Sequence, residues 1–231
     1  MTIPSYFKLY ISSEPAPGAV VRSGEARFTV LSAHMVRLEY HPQAQFEDRP
    51  SQVFWHRNQP VPDFSVKREG GELVIRTKAL ELHYQEGSPF TASTLWVQAL
   101  ESRLRWRFGT EPKDNLLGTT RTLDMANGAV PLEPGLLNRS GWTVVDDSAS
   151  LVFDEQGWLT ERSPGGVDVY FWVYGKDYRL GMSEYYRLAG KPGLVPRWAL
   201  GNWWSRYWHF TAEELQRLME DFRRHQIPLG V

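Results

Sequence analysis

Cysteine is missing from all 231 residues. That absence excludes disulfides, thiolate zinc sites, iron–sulfur clusters and cysteine nucleophiles together, and it fits the reducing cytoplasm expected for the chain. A surplus of either charge is missing too. The 26 basic and 27 acidic side chains leave a formal net charge of −1, so neither nucleic acid nor an anionic membrane is expected as a partner. Long apolar runs are also lacking: the longest, Val169 to Tyr174, is far too short to span a bilayer. The start, MTIPSYFKLYISSEP, does not have the basic-then-apolar order of a signal peptide. Six histidines, at positions 34, 41, 56, 83, 209 and 225, show neither HxH nor HExxH spacing, and no GxGxxG or Walker loop occurs. No metal and no cofactor is expected.

Aromatic side chains are abundant instead, with ten Trp and ten Tyr. From about residue 26 to 175 the apolar pattern has period two. Val36, Leu38 and Tyr40 alternate with Arg37, Glu39 and His41; Leu80, Leu82 and Tyr84 alternate with Glu81, His83 and Gln85; Leu104, Trp106 and Phe108 alternate with Arg103, Arg105 and Arg107. Each run is expected as a half-buried strand with one apolar and one wet face. Turn-rich dividers, such as Glu69-Gly70-Gly71 and Ser163-Pro164-Gly165-Gly166, separate them. Many short strands so spaced indicate a mainly β fold, an antiparallel sandwich.

Near residue 176 the pattern changes. Leu180, Tyr185 and Leu188 line one side of a short helix over Asp177 to Ala189, stopped by Gly190 and Pro192. Ala199 to Trp204 is expected as a strand. Thr211 and Glu214 then have capping-box spacing, and Leu215, Leu218, Met219 and Phe222 form the apolar stripe of a second helix. After His225, IPLGV begins another strand. Strand, helix, strand is the opening of an α/β unit.

Three local features suggest chemistry and have plainer readings. The arginines of Arg103 to Phe108 alternate with apolar residues, as a solvated sheet face requires, which argues against a nucleic-acid strip. Asp146-Asp147 could form an acid pair, but strand neighbours point to opposite faces and DDS is a good turn. Asn138-Arg139-Ser140 fits a glycosylation sequon and reads as an ordinary loop. The stretch WALGNWWSRYWHFTAEEL at 198–215 is different, because aromatic and polar residues crowd a loop between strand and helix. Aromatic faces with a few fixed polar groups suit sugars.

The stretches GTTRTLDMANGAVPLEPGLLNRSGWTVVDDS at 118–148, VYFWVYGKDY at 169–178 and VPRWALGNWWSRYWHFTAEELQRLMEDFRRHQIPL at 195–229 resemble glycoside hydrolase family 31. Its members include α-glucosidases and α-xylosidases. The resemblance runs from about residue 115 onward, and residues 1–114 add a compatible strand pattern. It implies a galactose-mutarotase-like β-sandwich over 1–175, a helical linker over 176–197, and the truncated start of a (β/α)8 catalytic barrel over 198–231. It also implies retaining hydrolysis by two aspartates on later barrel strands. Those strands lie beyond residue 231, so the chain alone is expected to be inactive. Arg206, Tyr207 and Trp208 match the family's loop after the first barrel strand, where they are expected to bind an α-linked oligosaccharide or glycoside. Gly230 departs from the family pattern, which has an acidic residue there. The apolar face of Leu215, Leu218, Met219 and Phe222 is expected to be covered by the sandwich or by a second copy of the chain. The alternative is a stand-alone carbohydrate-binding module without catalysis.

Overall fold

The computed structural model describes residues 10–120 and 122–231. Most of the stretch read for a signal peptide (residues 1–9) and Arg121 of the family-like stretch lie outside the described residues. The chain forms two compact units, Met1–Lys191 and Pro192–Val231.

Strands of the first unit run in the order β1 (Val20–Ser23), β2 (Ala26–Val30), β3 (Met35–Tyr40), β4 (Ser65–Glu69), β5 (Glu72–Arg76), β6 (Leu80–Gln85), β7 (Leu95–Ala99) and β8 (Arg105–Arg107). Then come β9 (Trp142–Asp146), β10 (Val152–Phe153), β11 (Leu159–Thr160) and β12 (Val167–Val173), followed by helix α1 (Tyr178–Ala189). One antiparallel sheet has the order β1-β2-β3-β12-β9 and the other β4-β5-β6-β7-β8, while β10 and β11 make a separate hairpin.

Period-two alternation builds the core between the sheets. From the first sheet come Phe28, Val36, Leu38, Val169 and Phe171; from the second come Leu73, Ile75, Leu82, Tyr84, Val97 and Trp106. Trp106 stacks on Phe171 across the gap with centroids 4.8 Å apart. Full burial of each such side chain is worth about 1.5–3 kcal/mol, which makes this layer the main source of stability. On β8 the expected alternation holds: Trp106 is buried while Arg105 and Arg107 are exposed.

On β3 the expected wet face is not wet. Arg37, Glu39 and His41 are all buried, because a second layer covers the outer side of the first sheet. The apolar part of that layer joins Leu31, Met35, Phe54, Tyr170, Trp172, Tyr174 and Leu188. Helix α1 belongs to it: Asp177 caps the helix by accepting from Leu180 N at 3.0 Å, and Trp172 Nε1 donates to Gly181 O at 3.1 Å. Alternation reports which residues share a face but not whether that face meets water. Charged residues can be buried when they are paired, as these are.

Candidate functional site

In the second unit, Arg197–Leu200 forms a 3-10 turn, and no regular strand forms over the expected Ala199 to Trp204 or after His225. Residues 202–204 instead bond to residue 231: Val231 N donates to Asn202 O at 3.2 Å, and Trp204 N donates to Val231 O at 2.9 Å. That is the hydrogen-bond pattern of parallel strands. Asn202 Nδ2 adds a bond to Pro228 O at 3.0 Å. Gly230 has a local reason: a Cβ there would lie 2.7 Å from Trp198 O. Helix α2 (Ala212–Arg224) makes the crossover. Its capping box forms as expected, with Glu214 N donating to Thr211 Oγ1 at 3.2 Å and Thr211 N donating to Glu214 Oε2 at 2.8 Å. Trp204 packs on Phe210 and Phe222, with centroids 6.0 and 5.8 Å apart. Leu215 and Met219 keep exposed surface.

Residues 205–210 therefore join the segment 202–204, which is hydrogen-bonded to the chain end, to the N-terminus of α2. In β/α folds, ligands meet the protein at the C-terminal end of the strands. The three site residues expected from the sequence lie here together and exposed. The Arg206 guanidinium stands 5.3 Å from the Trp208 ring centre. Tyr207 is 97% exposed, with its ring 6.5 Å from that of His209. Trp203, also exposed, donates from Nε1 to Ala199 O at 2.9 Å and lies 6.2 Å from the Trp198 ring. Rigid aromatic faces, an arginine fork and free hydroxyl and imidazole groups can stack on C–H faces and bond to hydroxyls.

The other sequence candidates resolve differently. Asp146 ends β9 and Asp147 leads into the turn at 148–149, and only Asp146 faces water; it accepts from Ser148 N at 2.9 Å. Asp147 is buried in a charge cluster that sequence reading missed. Asp168 accepts from Arg37 Nε and Nη2 and from Arg162 Nη1, each at 2.7 Å. Arg162 Nη2 reaches Asp147 Oδ2 at 2.6 Å. Arg27 Nε and Nη2 donate to Glu39 at 2.6 and 2.8 Å, and Arg57 Nε donates to Tyr170 Oη at 2.5 Å. Burial alone would raise the Asp168 carboxyl, yet Arg37, Arg57 and Arg162 hold it well below the usual carboxylate range. Burial and the neighbouring Asp168 push Asp147 up. These acids are locked to guanidinium groups and act as a structural clamp. Asn138 of the sequon is buried: its Nδ2 donates to Trp142 O and its N–H donates to Tyr174 Oη, so the folded chain offers no amide for glycosylation. Among the described residues, no three His, Cys, Asp or Glu are placed to hold a metal.

Comparison with known proteins bears on the same segment. Residues 192–231 match the family model described as the glycosyl hydrolases family 31 TIM-barrel domain. Over these 40 residues the chain is similar to glycoside hydrolase family 31. A probable maltase-glucoamylase 2 of Homo sapiens is 36% identical over 73 residues, 32% of this chain and 3% of that protein. An alpha-xylosidase of Saccharolobus solfataricus is 26% identical over 117 residues, 49% of this chain and 16% of that protein. Among solved structures, a family 31 alpha-xylosidase from a soil metagenome, complexed with xylose, gives a TM-score of 0.60 at 10% identity. That match covers 90% of this chain and 39% of the other. A family 31 dextranase of Flavobacterium johnsoniae, complexed with glucose, gives 0.55 at 14% identity, covering 96% and 33%. The chain thus spans well under half the length of each of these proteins. At such identities the two structures speak for the fold alone, which here is mainly β with antiparallel sheets. No helix among the described residues is long and apolar enough to cross a membrane.

Proposed function

We propose that the chain is the N-terminal portion of a retaining α-glycoside hydrolase of the α-glucosidase or α-xylosidase kind, and that it does not hydrolyse glycosides by itself. One observation carries the reading: residues 192–231 match the family 31 barrel model, and the same stretch holds a capped helix whose flanks, residues 202–204 and 230–231, hydrogen-bond to each other. In this reading residues 1–175 are the accessory sandwich, 176–197 the connection, and 198–231 the first β/α unit of a barrel of about 250 residues. Retaining chemistry needs two carboxylates about 5–5.5 Å apart flanking the sugar, one as nucleophile and one as acid/base. Asp147 and Asp168 do not serve, since both are buried and held by Arg162. In the same reading Arg206, Tyr207 and Trp208 line a subsite for an α-linked sugar, and the chain resides in the cytoplasm. A second copy of the chain covers the Leu215 and Met219 face, and a strict monomer by light scattering at high concentration would reject that pairing.

Side-chain NMR tests the loop directly. Adding isomaltose or xylose is expected to shift the Trp208 indole resonance, and Tyr207→Ala is expected to abolish the shift. An indole that stays still at saturating sugar sinks the assignment of this loop.

A further inference from the structure

A cleft of the first unit lies away from the 205–210 loop in sequence and plays no part in the reading above. It occupies about 620 Å3 at one end of the sandwich, where five connections converge. These are the β2–β3 turn at His34, the β5–β6 turn at Lys78, the β7–β8 turn at Glu101 and Ser102, the β8–β9 connection at Ser140, and the β12–α1 junction at Lys176 and Asp177. Its floor is apolar: Ala79, Ala99 and Val173 from the edge of the core, with Tyr174 and Leu180 beside them. The size falls within the range of small-molecule sites, about 300–1,000 Å3.

The rim divides into groups already committed to the fold and groups that are not. Lys176 Nζ donates to Arg139 O at 2.7 Å, Ser140 Oγ donates to Asp114 at 2.8 Å, and Asp177 Oδ1 caps α1. By contrast, the side chains of His34, Lys78 and Glu101 have no hydrogen-bond, ion-pair or ring partner among the described residues, although all three border the same cleft. Three uncommitted polar groups from three separate turns, set around an apolar floor, form a ring of donors and acceptors with nothing yet to bind.

Charge then narrows the ligand. Lys78 and Lys176 oppose Glu101 and Asp177, so the rim balances near neutrality and favours neither an anion nor a cation. A neutral molecule with one C–H face and many hydroxyls matches both floor and rim, since hydroxyls donate to Glu101 and accept from Lys78 while the C–H face covers Ala99 and Val173. We propose that this cleft is a sugar-binding subsite of the sandwich, taking a neutral mono- or disaccharide and separate from the barrel loop. The choice of an α-linked saccharide rests on the family 31 reading; the neutral, amphiphilic character of the ligand rests on the cleft alone.

Amide NMR of the full chain, titrated with maltose, isomaltose and xylose, tests it. Shifts are expected at residues 34, 78, 101 and 176, and they should persist in Tyr207→Ala. The double variant Lys78→Ala/Glu101→Ala changes only exposed rim groups and should weaken this binding about tenfold or more, as loss of two hydrogen bonds to charged groups requires. Ala99→Trp, which fills the floor, should abolish it, with the unchanged remainder of the amide spectrum reporting that the sandwich still folds. Shifts confined to residues 205–209 would overturn the cleft site and leave the loop reading standing. Shifts at the cleft that survive the double variant within twofold would overturn it as well, and so would silence at the cleft up to saturating sugar.

Discussion

Asp168→Asn removes one charge from the clamp beneath the outer layer of the sandwich while keeping its volume. Asp168 accepts three charge-assisted bonds at 2.7 Å, two from Arg37 and one from Arg162. At about 1.5–3 kcal/mol each, a simple sum would exceed the effect, because the amide oxygen keeps part of the set. What the variant cannot avoid is the state of Arg37. It is fully buried, its remaining anionic neighbours are Glu39 at 3.1 Å and Asp48 at 4.0 Å, and the new amide turns an N–H toward the guanidinium. Breaking a buried pair from one side costs about 3–5 kcal/mol, since the surviving charge is left without compensation. Urea unfolding followed by tryptophan fluorescence reads this, because Trp106, Trp142 and Trp172 are all buried in this unit. With a slope of about 2–3 kcal/mol per molar, the midpoint should fall by about 1–2.5 M. Replacing both partners, as Arg37→Met/Asp168→Leu, should cost less than the single change, because no orphan charge remains. A midpoint shift below about 0.3 M for Asp168→Asn would show that the clamp carries little of the fold.

The same clamp sets the acid limb of stability. Asp168 has a folded pKa below its unfolded value of about 3.9, so its contribution is present above that value and is lost as pH falls toward the folded one. Glu39 and Asp147 are shifted upward by burial and oppose this trend at mildly acidic pH, so unfolding should begin below about pH 4 and the Asp168→Asn variant should show a shallower limb. Stability already collapsing above pH 5 in a urea–pH series would contradict that. Gly141→Ala should destabilise by about 3 kcal/mol in the same urea assay, because Gly141 has φ +81° and an added Cβ would lie 2.4 Å from Gly175 O; a change under about 0.5 kcal/mol would mean that the β9–β12 approach relaxes freely.

Much of this architecture was legible in the residues. Alternation along β6 and β8 placed Leu82 and Trp106 inward, and the start of α2 followed from the local cap at Thr211. Local chemistry of that kind is carried by neighbouring residues. The outer layer was not legible. Arg37 and Glu39 looked solvated because their anchors are remote in sequence, with Asp168 reaching Arg37 from β12 and Glu39 directly opposite Arg27. Opposite charges at facing positions of adjacent strands are a signal, but one visible only when the pairing is known. The candidate loop divides in the same way. Arg206, Tyr207 and Trp208 could be singled out by type, whereas the bonds of residues 202–204 to residues 230 and 231 join positions distant in sequence. The cleft ringed by His34, Lys78 and Glu101 is assembled from five connections distant in sequence, so no window of residues announces it.

The central proposal is that this chain corresponds to the sandwich and opening barrel unit of a family 31 hydrolase and does not catalyse by itself. Incubating the purified chain with aryl α-glucosides and α-xylosides and following aglycone release tests it most directly. The account predicts no release above the buffer rate. Clear turnover that is lost in Tyr207→Ala would contradict it.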